Sequence, residues 1–241
     1  MSSREAFLAR VRQALQTGKQ PPHAEGAAAA NDGEAISLVS EGEDLAARLQ
    51  RELEGVGGSV ARVKHVAEAA QYVTRLAQEK GAEVVVRWQS ELLDTLEIDD
   101  ALQASGANVH TASPTDAAAA ANRRQEMRDL LARADLGLSG VDAVIAETGT
   151  LMLTAQPGQM RGVSLLPPVH VAVARTDQIV ATFAAALRTV RQAGEDMQQN
   201  LTSCISFVTG PSRTGDIELK LTVGVHGPGE LHLVLLDEPS T

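Results

Sequence analysis

The sequence predicts an α/β protein in which a mostly parallel sheet is flanked by helices and carries an added antiparallel hairpin. From Ser40 onward, β-branched apolar runs alternate with stretches of helical periodicity, which is typical of a parallel sheet covered by helices. In the second half, "ETGT" separates two apolar runs and predicts a strand–turn–strand unit. Hydrophobic residues make up 44% of the 241-residue chain and aromatic residues only 2%, so the core is built mainly from Ala, Val, Leu and Ile.

Between Ser40 and Ala134 the sequence predicts three helices and three strands. The first helix, "DLAARLQREL", places Leu45, Leu49 and Leu53 on one face. The other helices are "VAEAAQYVTRLAQEKG", which Gly81 ends, and "AAAAANRRQEMRDLLARA". The predicted strands are "GGSVARV", "AEVVVRW" and "GANVHTA".

The second half predicts a hairpin in "VDAVIAETGTLMLTA", strands in "LLPPVHVAVAR" and "SCISFVTG", and a last strand from His232 to Asp237. The segment "TDQIVATFAAALRTVRQAG" predicts a helix capped by Thr176 and ended by Gly194. A short helix is expected to begin in "GDIELKL". Because ligands bind at the carboxyl ends of strands in open α/β sheets, we expect the segment after "CISFV" to line such a crevice.

Three regions are predicted along the chain. Residues 1–18 form a helical appendage, since Ser2 and Glu5 can make a capping box before an amphipathic stretch. Residues 19–35 are rich in Pro, Ala and Gly and predict a flexible linker. Residues 36–241 form the α/β domain.

Composition excludes several classes of function. The formal net charge of −10 argues against nucleic acid and anionic membrane as partners. Cys204 is the single cysteine, so the chain can form no internal disulfide and cannot alone supply the about four thiolates that an iron–sulfur cluster needs. No segment approaches the ~20 apolar residues of a membrane span, and the N-terminal stretch lacks the apolar core of a signal peptide, which predicts a cytoplasmic protein.

The segment "TGPSRTGDIE" predicts an anion site. Gly210 permits close backbone approach, Ser212 and Thr214 offer hydroxyls, and Arg213 offers a planar fork for a carboxylate or phosphate. Two acids follow, Asp216 and Glu218, which either orient the arginine, take part in proton transfer or stabilise a helix start. The alternative is a Ser-capped surface turn in which Arg213 pairs with Asp216.

The segment "AETGT" is a second candidate site. Glu147 follows an apolar strand, and a carboxylate held in apolar surroundings would suit general acid–base or nucleophilic chemistry. Thr148, Gly149 and Thr150 would then line the ligand site. The alternative is an ordinary hairpin turn with a solvated Glu147.

Other polar residues are weaker candidates. His226, between glycines, can approach a ligand closely, whereas His170 and His232 lie in apolar strands and are expected to be core histidines, with His170 kept as a further candidate for the ligand site. The sequence contains no closely spaced pair of histidines that would indicate a metal site. Arg161 either lines the same crevice or is an exposed loop residue. The sequence contains no G-x-G-x-x-G turn that would indicate a dinucleotide site, but the absence of this motif does not exclude a bound flavin.

Three segments together resemble the LUD-domain family, in particular its lactate-utilisation protein C branch. They are "AETGTLML", "SLLPPVHVAVA" and "GPSRTGDIELKLTVGVHGP", and the resemblance covers Gly140 to Asp237. Gly215 stands where the family usually has alanine. The matching positions are Glu147, Thr148, Gly149, Thr150, Pro167, Pro168, His170, Gly210, Pro211, Ser212, Arg213, Thr214, Asp216, Glu218, Gly224, His226, Gly227 and Pro228.

The resemblance implies a fold similar to the NagB/RpiA/CoA-transferase group. It also implies a role beside two iron–sulfur proteins in the oxidation of L-lactate to pyruvate, for growth on lactate. With one cysteine, this chain would be the cluster-free component, and its anion site would hold a small carboxylate. Two alternatives remain: a stand-alone enzyme or binder for a carboxylate, phosphate or CoA-type ligand, with Glu147 as nucleophile, or a non-catalytic assembly or regulatory subunit.

Overall fold

The structure is a computed structural model that describes residues 8–9, 39–40, 42–112, 120–196, 202, 204–215 and 221–237. The chain divides into a first unit, residues 1–36, and a second unit, residues 37–241. Apart from Leu8 and Ala9, the described residues all belong to the second unit. The predicted appendage and linker lie outside the described residues, apart from Leu8 and Ala9, which are helical.

Six parallel strands form the main sheet, in the order β1-β12-β7-β4-β2-β3. The last strand of the chain is therefore inserted between the first strand and β7, where Leu231 aligns with His170. The strands are β1 (Ser59–Val63), β2 (Val84–Trp88), β3 (Asn108–Ala112), β4 (Leu136–Ser139), β7 (Val169–Arg175) and β12 (Glu230–Leu236).

A smaller sheet of four strands contains the predicted hairpin. Strands β5 and β6 pair antiparallel around the turn at residues 146–149, which confirms the added hairpin. β8 runs parallel to β5, and β9 runs antiparallel to β6. A separate two-stranded ribbon pairs β10 with β11. These strands are β5 (Ala143–Ile145), β6 (Thr150–Thr154), β8 (Ile179–Val180), β9 (Ile205–Val208), β10 (Arg213–Gly215) and β11 (Leu221–Val223).

Helices flank the parallel sheet, and the predicted α/β class is confirmed. The face of α1 that the sequence predicts is buried, with Leu49 and Leu53 fully enclosed in the main core. Short 3-10 helices occupy Arg161–Ser164 and Thr176–Gln178. The α-helices are α1 (Leu45–Gly55), α2 (Val66–Glu79), α3 (Glu91–Thr95), α4 (Ile98–Ala104), α5 (Ala120–Ala132) and α6 (Phe183–Asp196).

Two predicted helix starts are wrong. The chain after Thr176 first forms a 3-10 turn and β8, and α6 begins only at Phe183, because Ile179 and Val180 pair with β5. Gly215 lies in β10 rather than at the start of a helix, since it pairs with Leu221 across the ribbon. Residues 216–220 lie outside the described residues.

Candidate functional site

The three sequence motifs meet near the end of α1 and the amino ends of β7 and β12. The Ser212 N–H donates to the Pro228 carbonyl at 2.8 Å, and the Gly229 N–H donates to the Pro168 carbonyl at 2.9 Å. These bonds join the arginine-containing segment to the loops that lead into the two strands. The polar and glycine positions gathered here are called the motif face, and they are Thr148, Thr150, Thr209, Gly210, Ser212 and Arg213.

A row of hydroxyls runs across the motif face. Thr150 Oγ1 lies 2.7 Å from Thr148 Oγ1 and 2.7 Å from Thr209 Oγ1. Thr150 is buried, whereas the two outer threonines are exposed. The buried member therefore links the hairpin turn to the end of β9 and fixes the spacing of the exposed hydroxyls.

Two glycines bring the motif face close to α1. Gly149 has φ +65°, and a Cβ there would collide with the backbone of Leu53. Gly210 has φ +80°, and a Cβ there would stand only 2.9 Å from the Val56 carbonyl oxygen. Both positions need glycine for the left-handed backbone and for this approach.

Arg213 lies over the turn that follows α1. A Cβ on Gly57 would collide with its guanidinium, and Pro211 lies close by. The Arg213 side chain is exposed and has no carboxylate partner within the described ranges. A cation near a helix C-terminus is favourable, so the end of α1 helps to hold the guanidinium in place. Its hydrogen-bonding groups stay available to an anion.

Glu147 caps a helix in this structure. Its Oε1 atom accepts a hydrogen bond from the Phe183 N–H at 2.7 Å, at the start of α6. Its own N–H donates to the Ala181 carbonyl at 3.1 Å. The carboxylate therefore stabilises the N-terminus of α6, and its predicted chemical role stays a prediction.

The remaining predicted residues lie around or outside the motif face, and a Cβ on Gly227, the neighbour of His226, would stand 3.2 Å from the Ser212 Cβ. Thr214 pairs with Thr222 inside the β10–β11 ribbon. His226 is exposed, and so is Arg161, which begins a 3-10 helix on another segment. Asp216 and Glu218 lie outside the described residues.

His170 is a buried core histidine. Its Nε2 atom lies 2.8 Å from Ser139 Oγ, and neither side chain is exposed to solvent. Burial, with a smaller contribution from His232, lowers the pKa of His170 to about 4. The neutral ring contributes a polar contact between β4 and β7, and the structure does not bring it to the motif face.

The motif face lies at the amino edge of the parallel sheet, so the expected position at the carboxyl edge is wrong. The reason is the partner of β9: its four residues pair with β6 in the small sheet and not with any strand of the large one. An apolar run such as "CISFV" indicates a strand but does not indicate which sheet it joins.

A crevice at the carboxyl ends of β2, β4 and β7 was missed by sequence analysis. It has a volume of about 130 Å³, and we call it the switch-point crevice. The signal in the sequence is the polar residues that follow these strands directly. Its lining includes Trp88, Ser90, Gly140, Asp142, Arg175 and Gln178.

Asp142 and Gln178 are held firmly in this crevice. The Asp142 carboxylate accepts hydrogen bonds from the Thr154 N–H at 2.6 Å and the Thr154 hydroxyl at 3.0 Å. Burial raises the pKa of Asp142, and the two bonds from Thr154 oppose the rise. The Gln178 amide donates to the Val141 carbonyl at 2.6 Å and accepts from the Arg175 N–H at 2.9 Å.

Two classes of site find no support in the part of the chain that the structure describes. No three His, Cys, Asp or Glu side chains there are placed to hold a metal ion together. No described helix combines the length and the apolar character that crossing a membrane requires.

The chain is similar to curated relatives over part of its length. It is 42% identical over 106 residues to Lactate utilization protein C of Macrococcus caseolyticus, covering 44% of this chain and 46% of that protein. It is 30% identical over 160 residues to Lactate utilization protein C of Halalkalibacterium halodurans, covering 66% of this chain and 64% of that protein. The matches thus span less than two thirds of the length of these relatives.

Structural comparison and a family model agree with that similarity. A DUF162 family protein from Deinococcus radiodurans, known from a crystal structure at 1.70 Å resolution, superposes with a TM-score of 0.53 at 19% identity. The match covers 80% of this chain and 96% of that one, and it supports the fold. A family model described as the LUD domain matches residues 46–236. Because that match spans most of the chain, this protein belongs to the LUD-domain family.

Proposed function

We propose that this chain takes part in lactate utilisation as the cluster-free component of an iron–sulfur system that oxidises L-lactate to pyruvate in the cytoplasm. The names of the two relatives and the family support a role in lactate utilisation. The oxidation removes two electrons and two protons from the hydroxyl-bearing carbon and its hydroxyl. The electrons pass to clusters in two partner proteins, because this chain has only Cys204 as a thiolate ligand.

The exposed guanidinium of Arg213 is the observation that carries the proposal. It has no carboxylate partner among the described residues, and it lies beside Ser212, whose N–H is already bonded to Pro228. A planar guanidinium can bind a small carboxylate or a phosphate through two parallel bonds. The Ser212 and Thr214 hydroxyls assist it, His226 or Glu147 takes up the hydroxyl proton, and the second proton passes to solvent.

The test is activity of the complex. The tagged chain is purified anaerobically from its host grown on lactate, and the eluate is assayed for iron, for co-purifying proteins and for lactate-dependent dye reduction. Arg213→Gln should keep the partners but reduce dye reduction by about tenfold or more, because a lost charged hydrogen bond costs roughly 1.5–3 kcal/mol. Arg188→Gln, an exposed arginine on α6, is the matched control.

Other outcomes assign other functions. A colourless, partner-free eluate that turns over an acyl-CoA or a phosphorylated compound would favour the stand-alone enzyme. Partners and full activity in Arg213→Gln would remove the proposed role of this arginine. If the partner proteins co-purify and every motif-face variant keeps full activity, the result would favour a non-catalytic assembly subunit.

A further inference from the structure

The order of the strands places the switch-point crevice where an α/β sheet usually binds ligands. From β2 the chain continues outward to β3 at the sheet edge and then returns past β2 to β4. From β4 it proceeds the other way, to β7 and then to β12. The direction of winding thus reverses between β2 and β4. In open α/β sheets the carboxyl ends of the strands at such a reversal form a ligand crevice.

The walls of the crevice come from those strand ends. Trp88 ends β2, Gly140 follows β4, and Arg175 ends β7. Trp88 is almost fully buried, and its indole N–H donates to the Met160 carbonyl at 3.0 Å, which fixes the ring. With Leu92 it supplies an apolar wall. The crevice is therefore bordered by strand ends and by the turns that follow them.

The polar groups of the crevice have a clear arrangement. The Arg175 Nε atom donates to the Asp177 carboxylate at 3.0 Å. The two terminal nitrogens of Arg175 have no hydrogen-bond partner within the described ranges. Each Asp142 oxygen accepts one bond from Thr154 and keeps a further lone pair. The side-chain carbonyl of Gln159 is buried beside the crevice without a partner among the described residues. One cation and two unfilled acceptors therefore border the same small space.

We propose that the switch-point crevice is a binding site for a short-chain 2-hydroxy acid, separate from the motif face. Arg175 binds the carboxylate, Asp142 accepts the hydrogen bond of the hydroxyl, and Trp88 and Leu92 contact the carbon chain. Repulsion from Asp142 directs the carboxylate of the ligand toward Arg175. Gln159 is an alternative acceptor for the same hydroxyl proton.

The volume sets the size of the acid. About 130 Å³ corresponds to roughly four water molecules at ~30 Å³ each, which suits an acid of three or four carbons. Sites for drug-sized ligands occupy about 300–1,000 Å³, so the enclosed part of this half-open crevice suits a small acid better than a nucleotide or flavin. The inference rests on the proposed function for its first probe, L-lactate, and it deepens that function by adding a second acid site.

Trp88 is the only tryptophan of the chain, so its fluorescence reports on this crevice directly. The full-length chain is titrated with L-lactate, with pyruvate and with propionate, while Trp88 emission is followed. L-Lactate should change the emission with a Kd about tenfold or more below those of the other two acids, because only it has a hydroxyl proton to donate to Asp142 or Gln159. Gluconate, which is twice as long, should have no effect.

Variants locate the binding site. Arg175→Gln should raise the Kd for L-lactate by about tenfold or more, and Gly140→Val should abolish the response by filling the crevice. A Cβ on Gly140 would stand 3.7 Å from Ser90 Oγ, an ordinary contact, so this variant should fold. Thermal melts of each variant check that it does. Arg188→Gln should leave the titration unchanged.

Several results would overturn the inference. One is that Trp88 emission does not respond to L-lactate. Another is that the Kd is unchanged in Arg175→Gln and Gly140→Val. A third is that the response is lost in Arg213→Gln alone, which would place the acid at the motif face. Equal binding of L-lactate and propionate would remove the role of Asp142. The titration uses the isolated chain, so its failure would leave the iron–sulfur complex assay as an independent test of the proposed function.

Discussion

Ser139 Oγ and His170 Nε2 lie 2.8 Å apart in the middle of the parallel sheet, and both residues are fully buried. The bond joins β4 to β7, two strands that pair in parallel with Gly137 aligned to His170. The second ring nitrogen, Nδ1, has no partner in the described part of the chain. A protonated ring here would place an unpaired charge in the core, which is why burial lowers its pKa to about 4.

Acid should therefore destabilise the protein through His170. In the unfolded chain this histidine binds its proton near pH 6.5, but in the folded chain only near pH 4. Between these values the unfolded state binds more protons, so lowering the pH favours unfolding, and below pH 4 the contribution is constant. The gap between the two pKa values corresponds to about 3 kcal/mol of unfolding free energy. Urea unfolding measured from pH 7 to pH 4 checks this.

Comparing how the unfolding free energy changes with pH in the parent protein and in His170→Gln isolates the contribution of His170. His170→Gln lacks the titrating group, so its unfolding free energy should fall less steeply between pH 6.5 and pH 4, whatever its stability at neutral pH. Burial also lowers the pKa of His232, which contributes in the same direction and remains in the variant. Identical slopes for the two proteins would show that His170 is not the source of the acid sensitivity.

Gly149→Ala should cost about 2 kcal/mol or more in unfolding free energy. The new Cβ would meet the backbone of Leu53, which cannot move freely inside α1, and φ of +65° disfavours a side chain. Gly215→Ala is the matched control, because nothing lies within 4 Å of its Cβ and its φ is ordinary. It should lie within about 0.5 kcal/mol of the parent. Equal effects of the two substitutions would contradict the close contact between the hairpin turn and α1.

The elements of the fold could largely be predicted because each has a local pattern. Leu45, Leu49 and Leu53 recur with helical spacing, and the face they predict is the buried one. β4 was missed, although it lies at the centre of the sheet, because it is only four residues long and follows α5 closely. A strand buried on both faces has no alternation, and "LGLS" is too short to be recognised by its apolar content.

The candidate site could be predicted as a set of residues but not as a place. Hydroxyls, glycines and Arg213 are visible in the sequence, and the structure brings several of them together. Their position at the amino edge depends on β9 pairing with β6, a contact between distant parts of the chain. The switch-point crevice depends on strand order in the same way, so neither position follows from local periodicity.

Thr150→Val should lower the unfolding free energy by about 1 kcal/mol. The substitution keeps the shape of a buried side chain but removes the hydroxyl that bonds to Thr148 and Thr209. The cost is modest because those two outer hydroxyls are exposed and can bind water instead. Thr222→Val, at an exposed position in β11, should have no measurable effect. A loss as large in Thr222→Val as in Thr150→Val, measured by urea unfolding, would argue against the hydroxyl row.

Substitutions of Glu147 separate its capping role from its proposed chemical role. Glu147→Ala removes the acceptor for the Phe183 N–H and should cost about 1 kcal/mol, since Thr182 still accepts from Ala185 and keeps part of the cap. Glu147→Gln keeps an acceptor oxygen and should be close to the parent in stability. If the carboxylate moves a proton in lactate oxidation, Glu147→Gln should nevertheless lose most of the dye-reduction activity of the complex, because an amide cannot take up that proton. Full activity in this variant would leave Glu147 as a helix cap with no role in proton transfer. Unchanged stability in Glu147→Ala would instead contradict the cap.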